Sequence, residues 1–76
     1  MPYRENADLP ASVRQHLPRH AQDIYRAAFN HAFAARAGQT RQEEAAHRIA
    51  WAAVKRSYVK MGDVWVARAD VESKLA

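Results

Sequence analysis

Punctuation in this chain is sparse and lopsided: Pro2, Pro10 and Pro18 all fall in the first quarter, and Gly38 and Gly62 are the only glycines in 76 residues. The stretches from Pro18 to Gly38 and from Gly38 to Gly62 hold no helix breaker and are rich in alanine, so they predict two long helices. Gly38 is placed to take the left-handed conformation that ends a helix, and Gly62 with Asp63 to make a turn. Between Pro10 and Pro18 there is room for one short helix only.

That first helix lies in DLPASVRQHLP, residues 8–18. Asp8 can accept from the free amides of a helix start, Pro10 tolerates a first turn, and Leu9, Val13, His16 and Leu17 fall on one side at helical spacing. Pro18 disfavours helical geometry at Leu17, which predicts a corner there and a restart with Pro18 in the first turn of the second helix. The second helix has the cleanest stripe: Ala21, Ile24, Tyr25, Ala28, Phe29, Ala32 and Phe33 recur at three and four residues, with Asp23, Arg26, Asn30 and Arg36 outside it. Thr40 reads as the start of the third helix, with Glu43 completing a capping box. A connection this short makes the two long helices antiparallel neighbours.

The third helix contains HRIAWAAVKRSYVK, residues 47–60, and is apolar over more than the usual arc. Ala46, Ile49, Ala50, Ala53 and Ser57 group on one side, a small face that permits close approach to the second helix. His47, Trp51, Val54 and Tyr58 adjoin them, leaving Arg41, Glu44, Arg48, Lys55 and Arg56 for the solvent side. After the Gly62 turn, VWVA at 64–67 has the content of a short strand. MPYR at the start is the other extended segment free to pair with it, and the two chain ends are also what the large rings of the third helix would pack against. The fold class expected is thus mainly α: a small three-helix domain over residues 1–67, with a minor two-stranded β-sheet formed by the chain ends. Residues 68–76 form a polar tail, either a frayed helical turn or disordered.

At this size a hydrophobic core is close to the minimum that holds a chain folded, and with no cysteine there is no disulfide or thiolate site to help. Absence of cysteine fits a reducing compartment, so a cytoplasmic location is expected. No apolar run approaches a membrane span, and MPYRENADLP lacks the apolar core of a secretory signal.

In chain order, MPY, Leu9 with Pro10, LPRHAQDIYRAAFNHAF at 17–33 and EEAAHRIAWAAVKRSYVK at 43–60 resemble the ChaB family, over most of the chain from Met1 to about Trp65. The motifs are long and mix residue types unusually. The resemblance implies a small cytoplasmic bacterial domain of three helices with a small sheet, residues 1–67 here, that regulates a sodium or calcium/proton antiporter. The connection between the second and third helices is shorter than in some relatives, and the tail after Trp65 less basic.

No residue constellation points to catalysis. His16 and His20 have metal-ligand spacing, but Pro18 between them breaks the register that would aim both at one ion. His16 is read as a cap of the first helix, His20 and His31 as solvated, and His47 as half-buried beside Trp51. Serines lack a neighbouring base, acids are dispersed, and there is no glycine-rich phosphate loop, so no enzyme, cofactor or metal site is expected. What remains is charge. Twelve basic residues against eight acidic give +4, and Arg48, Lys55, Arg56 and Lys60 stand between Ala46 and Gly62 without one carboxylate. With Trp65, the aromatic expected to be partly exposed, they form the candidate partner-binding surface: Arg48, Lys55, Arg56, Lys60 and Trp65. As the resemblance implies, the partner is a protein, the cytoplasmic side of a cation antiporter. The alternative is DNA or RNA held by phosphate contacts, disfavoured because no recognition helix stands free. Solvation alone, or self-association, are the plainer roles for the same charges.

Overall fold

The structure is a computed structural model that describes residues 3–75, with side chains described for residues 3–71. A 3-10 turn, Asn6–Asp8, precedes α1 (Ala11–His16), α2 (Arg19–Ala35) and α3 (Gln42–Ser57); a hairpin of β1 (Tyr58–Met61) and β2 (Val64–Ala67) leads into α4 (Arg68–Leu75). Helices α2 and α3 pack along one another and carry most of the core. Ala21, Tyr25, Phe29 and Ala32 of α2 are buried against Ala46, Ala50 and Val54 of α3, with Leu9, Val13 and Leu17 closing one end. The stripe read from the sequence is therefore the core face. Ile24, Ala28 and Phe33 sit at its margin.

Corners are held by side-chain amides and prolines. Leu17 is extended (ψ 134), as the following proline demands, and Pro18 stands just before α2 as its cap residue, where its carbonyl accepts from the Gln22 amide at 2.9 Å. The Gln22 side chain donates back to the Leu17 carbonyl at 2.9 Å, satisfying a group left free by the end of α1. Gly38 has φ 81, the left-handed conformation expected after a helix. The next start differs from expectation: Thr40 is not the cap of α3. Arg41 holds that position with φ 64, and Gln42 donates to the Phe33 carbonyl at 2.6 Å, so the turn is tied to α2 rather than closed by a Thr40–Glu43 box. Asp8 likewise serves the 3-10 turn, accepting from the Glu5 amide at 3.2 Å, and leaves Pro10 to begin α1. His16 faces solvent rather than the core side of α1.

The sheet is where expectation needs most correction. VWVA is a strand, but its partner is the adjacent YVKM and not the amino-terminal segment: Tyr58 pairs with Ala67, Val59 with Val66, Lys60 with Trp65 and Met61 with Val64. Two physical reasons decide this. A two-residue loop with Gly62 at φ 64 closes the local pairing at little entropic cost, whereas pairing the chain ends would close a loop of nearly the whole chain. In addition, the Asn30 carboxamide takes the polar groups Tyr3 would have offered, accepting from its amide and donating to its carbonyl, both at 2.8 Å. Tyr3 and Arg4 lie in no strand, and Met1 and Pro2 lie outside the described residues. The third helix consequently stops at Ser57. Tyr58, read as helical, begins β1 at φ −131 and still buries its ring.

Polar residues on the outer side of α2 strap the first segment down. Arg26 donates through Nε to Asn6 Oδ1 at 2.8 Å and through Nη1 to the Arg4 carbonyl at 2.7 Å, while Asn6 donates to Asp23 at 2.6 Å. Residues 68–75 form α4, whose first residue Arg68 donates through Nε to the Lys55 carbonyl at 2.9 Å.

One polar contact crosses the core. The Tyr25 hydroxyl meets His47 Nδ1, and His47 Nε2 lies 3.7 Å from Glu43. In the tautomer with its proton on Nε2, toward the carboxylate, Nδ1 accepts from the phenol. Burial, and secondarily the nearby Tyr3, push the Tyr25 phenol up from 10.0 to about 12. The folded chain thus holds this proton more tightly than the unfolded chain. Its contribution is complete below pH 10 and is lost as pH rises from there toward 12, by about 1.4 kcal/mol per pH unit. Urea midpoints measured on both sides of pH 10 should fall steeply for the wild type; Tyr25→Phe should start about 1 kcal/mol lower and decline less. Parallel curves would remove Tyr25 from the account.

Candidate functional site

Three residue pairs, each placed by the local geometry of its own element, converge on one open groove. On α1, Ser12 and His16 are one turn apart, and His16 Nδ1 meets the Ser12 carbonyl at 2.6 Å. On α3, Trp51 and Lys55 share the same i,i+4 relation. In the hairpin, Lys60 and Trp65 are cross-strand partners. These six residues line a depression of about 420 Å³. Its apolar wall is the indole pair Trp51 and Trp65, 5.6 Å apart between ring centres and inclined at 34°. Trp51 is anchored from behind by the buried Tyr25, edge to face at 5.2 Å. Both indoles are half-buried, so each has one side in the core and one at the groove.

No carboxylate lines this groove, and Lys55 and Lys60 stand exposed at it with no ion-pair partner among the described residues. Of the five residues singled out in the sequence, three meet here: Lys55, Lys60 and Trp65. Arg48 is two turns before Lys55 on the same side of α3 and extends the positive edge without lining the groove. Arg56 follows Lys55 and is turned about 100° from it, toward the other flank of the helix. Sequence reasoning places Trp51 in the core and His16 as a helix cap, and gives Ser12 no role. Trp51 had a legible signal, its i,i+4 relation to Lys55; Ser12 and His16 reach the groove only through the corner at Pro18, which spacing alone does not orient.

Other clusters have less to offer. The Tyr25–His47–Glu43 row has the order of a proton relay, but the Tyr25 side chain is fully buried and no substrate reaches its oxygen. Among the described residues no group of His, Asp or Glu side chains is arranged to hold a metal ion, and no helix is long and apolar enough to cross a membrane. A polar hollow beside the amino-terminal segment gathers Arg4, Arg19 and Arg26, but Glu5 and Asp23 share it and Arg26 is committed to the Asn6 strap.

The family model of ChaB matches residues 9–68. The protein called "Putative cation transport regulator ChaB" in Escherichia coli strain K12 is 49% identical over 69 residues, covering 83% of this chain and 91% of that one; its namesake in Shigella flexneri matches equally. The NMR solution structure of a protein of that name superposes with a TM-score of 0.78 at 46% identity, covering 88% of this chain and 99% of the other. With a match that spans α1 to α3, the corner at Pro18 and the hairpin alike, the chain belongs to the ChaB family.

Proposed function

We propose that this chain is a non-enzymatic regulatory module that captures an acidic segment of a protein partner, on the cytoplasmic side of a cation antiporter, in the groove of Trp51, Lys55, Lys60 and Trp65. The observation that carries the reading is the pairing of a two-indole wall with two lysines and no opposing carboxylate. Aromatic side chains give apolar contact area at low entropic cost, and cations at the edge steer an acidic chain into register. An acidic peptide with an apolar anchor fits both: the anchor against the indoles, its carboxylates toward Lys55 and Lys60, with Arg48 extending the attraction. The name carried by the relatives supplies the transport setting.

Charge reversal at Lys55 and Lys60 together should weaken capture of the partner from solubilised membranes by about tenfold or more, with the melting temperature unchanged because both side chains are exposed. Undiminished capture by the double variant would put the partner elsewhere on the molecule. Steeply salt-dependent binding to short oligonucleotides, lost in the same variant, would instead assign the groove to phosphate recognition.

A further inference from the structure

The hairpin has two faces of different character. Strand alternation places Tyr58, Lys60, Trp65 and Ala67 on one side and Val59, Met61, Val64 and Val66 on the other. Three of the first four pack against the core. None of the second four is among the core residues described or those packed against them; all four are apolar, Val59 and Val66 half-buried and Met61 and Val64 exposed. Met61 and Val64, cross-strand partners beside the turn, are 50% and 57% exposed, the large hydrophobic residues left open among those described. An outward sheet face is ordinarily polar, because an apolar one invites association.

Size and charge decide what this face fits. Two paired strands of four residues present a strip of roughly 13 by 5 Å, far below the roughly 800 Å² per partner of a stable protein interface. A bilayer surface demands no complementary shape. It rewards a small apolar projection flanked by cations, which reach anionic headgroups while the apolar groups enter the acyl boundary. Arg56 at the end of α3 and Arg68 at the start of α4 are exposed beside the hairpin, with no ion-pair partner among the described residues, while Lys60 projects to the groove side. Asp63 in the loop carries an exposed carboxylate beside the apolar strip.

We propose that the Val59, Met61, Val64, Val66 face is a membrane-contact surface that seats the hairpin in the interface of an anionic bilayer. It is separate from the groove on the opposite face, and needs no particular partner there. Co-sedimentation with vesicles of equal phosphatidylglycerol and phosphatidylcholine, against phosphatidylcholine alone, tests it. The wild type should bind the anionic vesicles and bind the neutral ones far more weakly. Met61→Ser with Val64→Ser should lose about tenfold in affinity for the anionic vesicles at unchanged charge and melting temperature. Capture of the partner from detergent solution should be unaffected in that variant, which separates this proposal from the groove reading. Val64→Asn alone should show the same direction at smaller size. Absence of wild-type binding, or equal binding by the serine variant, overturns the proposal. So does a concentration-dependent dimer that dissolves in the serine variant while vesicle binding is missing, which would give the face to a second copy of the chain.

Discussion

Phe29→Ala should lower the unfolding free energy by about 3–5 kcal/mol, most of what a chain of this length ordinarily has. Phe29 is almost wholly buried, and its ring meets three others: Tyr3 at 4.7 Å, His47 at 4.6 Å and Phe33 at 5.6 Å, the last nearly parallel at 22°. Those neighbours come from the amino-terminal segment, α3 and α2, so truncation opens a cavity where three parts of the fold join. None can collapse into it independently. Tyr3 is held through its backbone by Asn30, and His47 by the Tyr25 hydroxyl. Phe33→Ala, one turn further along and half-buried, should cost well under half as much, because solvent already touches that site. Urea unfolding followed by circular dichroism should show the midpoint falling with an unchanged slope. A loss below about 1.5 kcal/mol at Phe29 would mean that the centre of the core lies elsewhere.

The two long helices were legible because their information is local and redundant. Seven residues of α2 repeat one spacing, and no single exception could hide it. What escaped reading depended on one side chain reaching across the fold. Nothing near Asn30 marks it as the group that takes both backbone bonds of Tyr3, yet that choice denies VWVA its expected partner. Arg41 is similar: a left-handed non-glycine residue has no sequence signal, and it is tolerated because Gln42 ties the turn to Phe33. The boundary at Ser57 failed for a different reason. YVKM continues a helical pattern and also suits a strand, and the hairpin decides between them. The candidate surface was half visible for the same cause. Its lysines stand out in an acid-free run, but only the hairpin brings Lys60 and Trp65 over Trp51.

The seam between α2 and α3 sets the position of everything downstream, and Ala50→Leu is the substitution that should expose this dependence. Ala50 is fully buried, as is Ala46 one turn before it, and these small residues let α3 lie close to Tyr25 and Phe29. Three added carbons have no space there. The expected loss is up to about 3 kcal/mol, taken as displacement of α3 because both helices are otherwise intact. Trp51 follows Ala50 directly, so a shift of the seam draws its indole away from Tyr25 at 5.2 Å and from Trp65 at 5.6 Å. Helical circular dichroism should therefore survive at low temperature while tryptophan emission moves to the red and capture of the partner falls. Ala52→Leu, on the exposed side of the same helix, is the control and should change neither. If Ala50→Leu leaves emission and capture unaltered, the groove does not depend on close approach of the two helices, and the indole wall must be held by the hairpin alone.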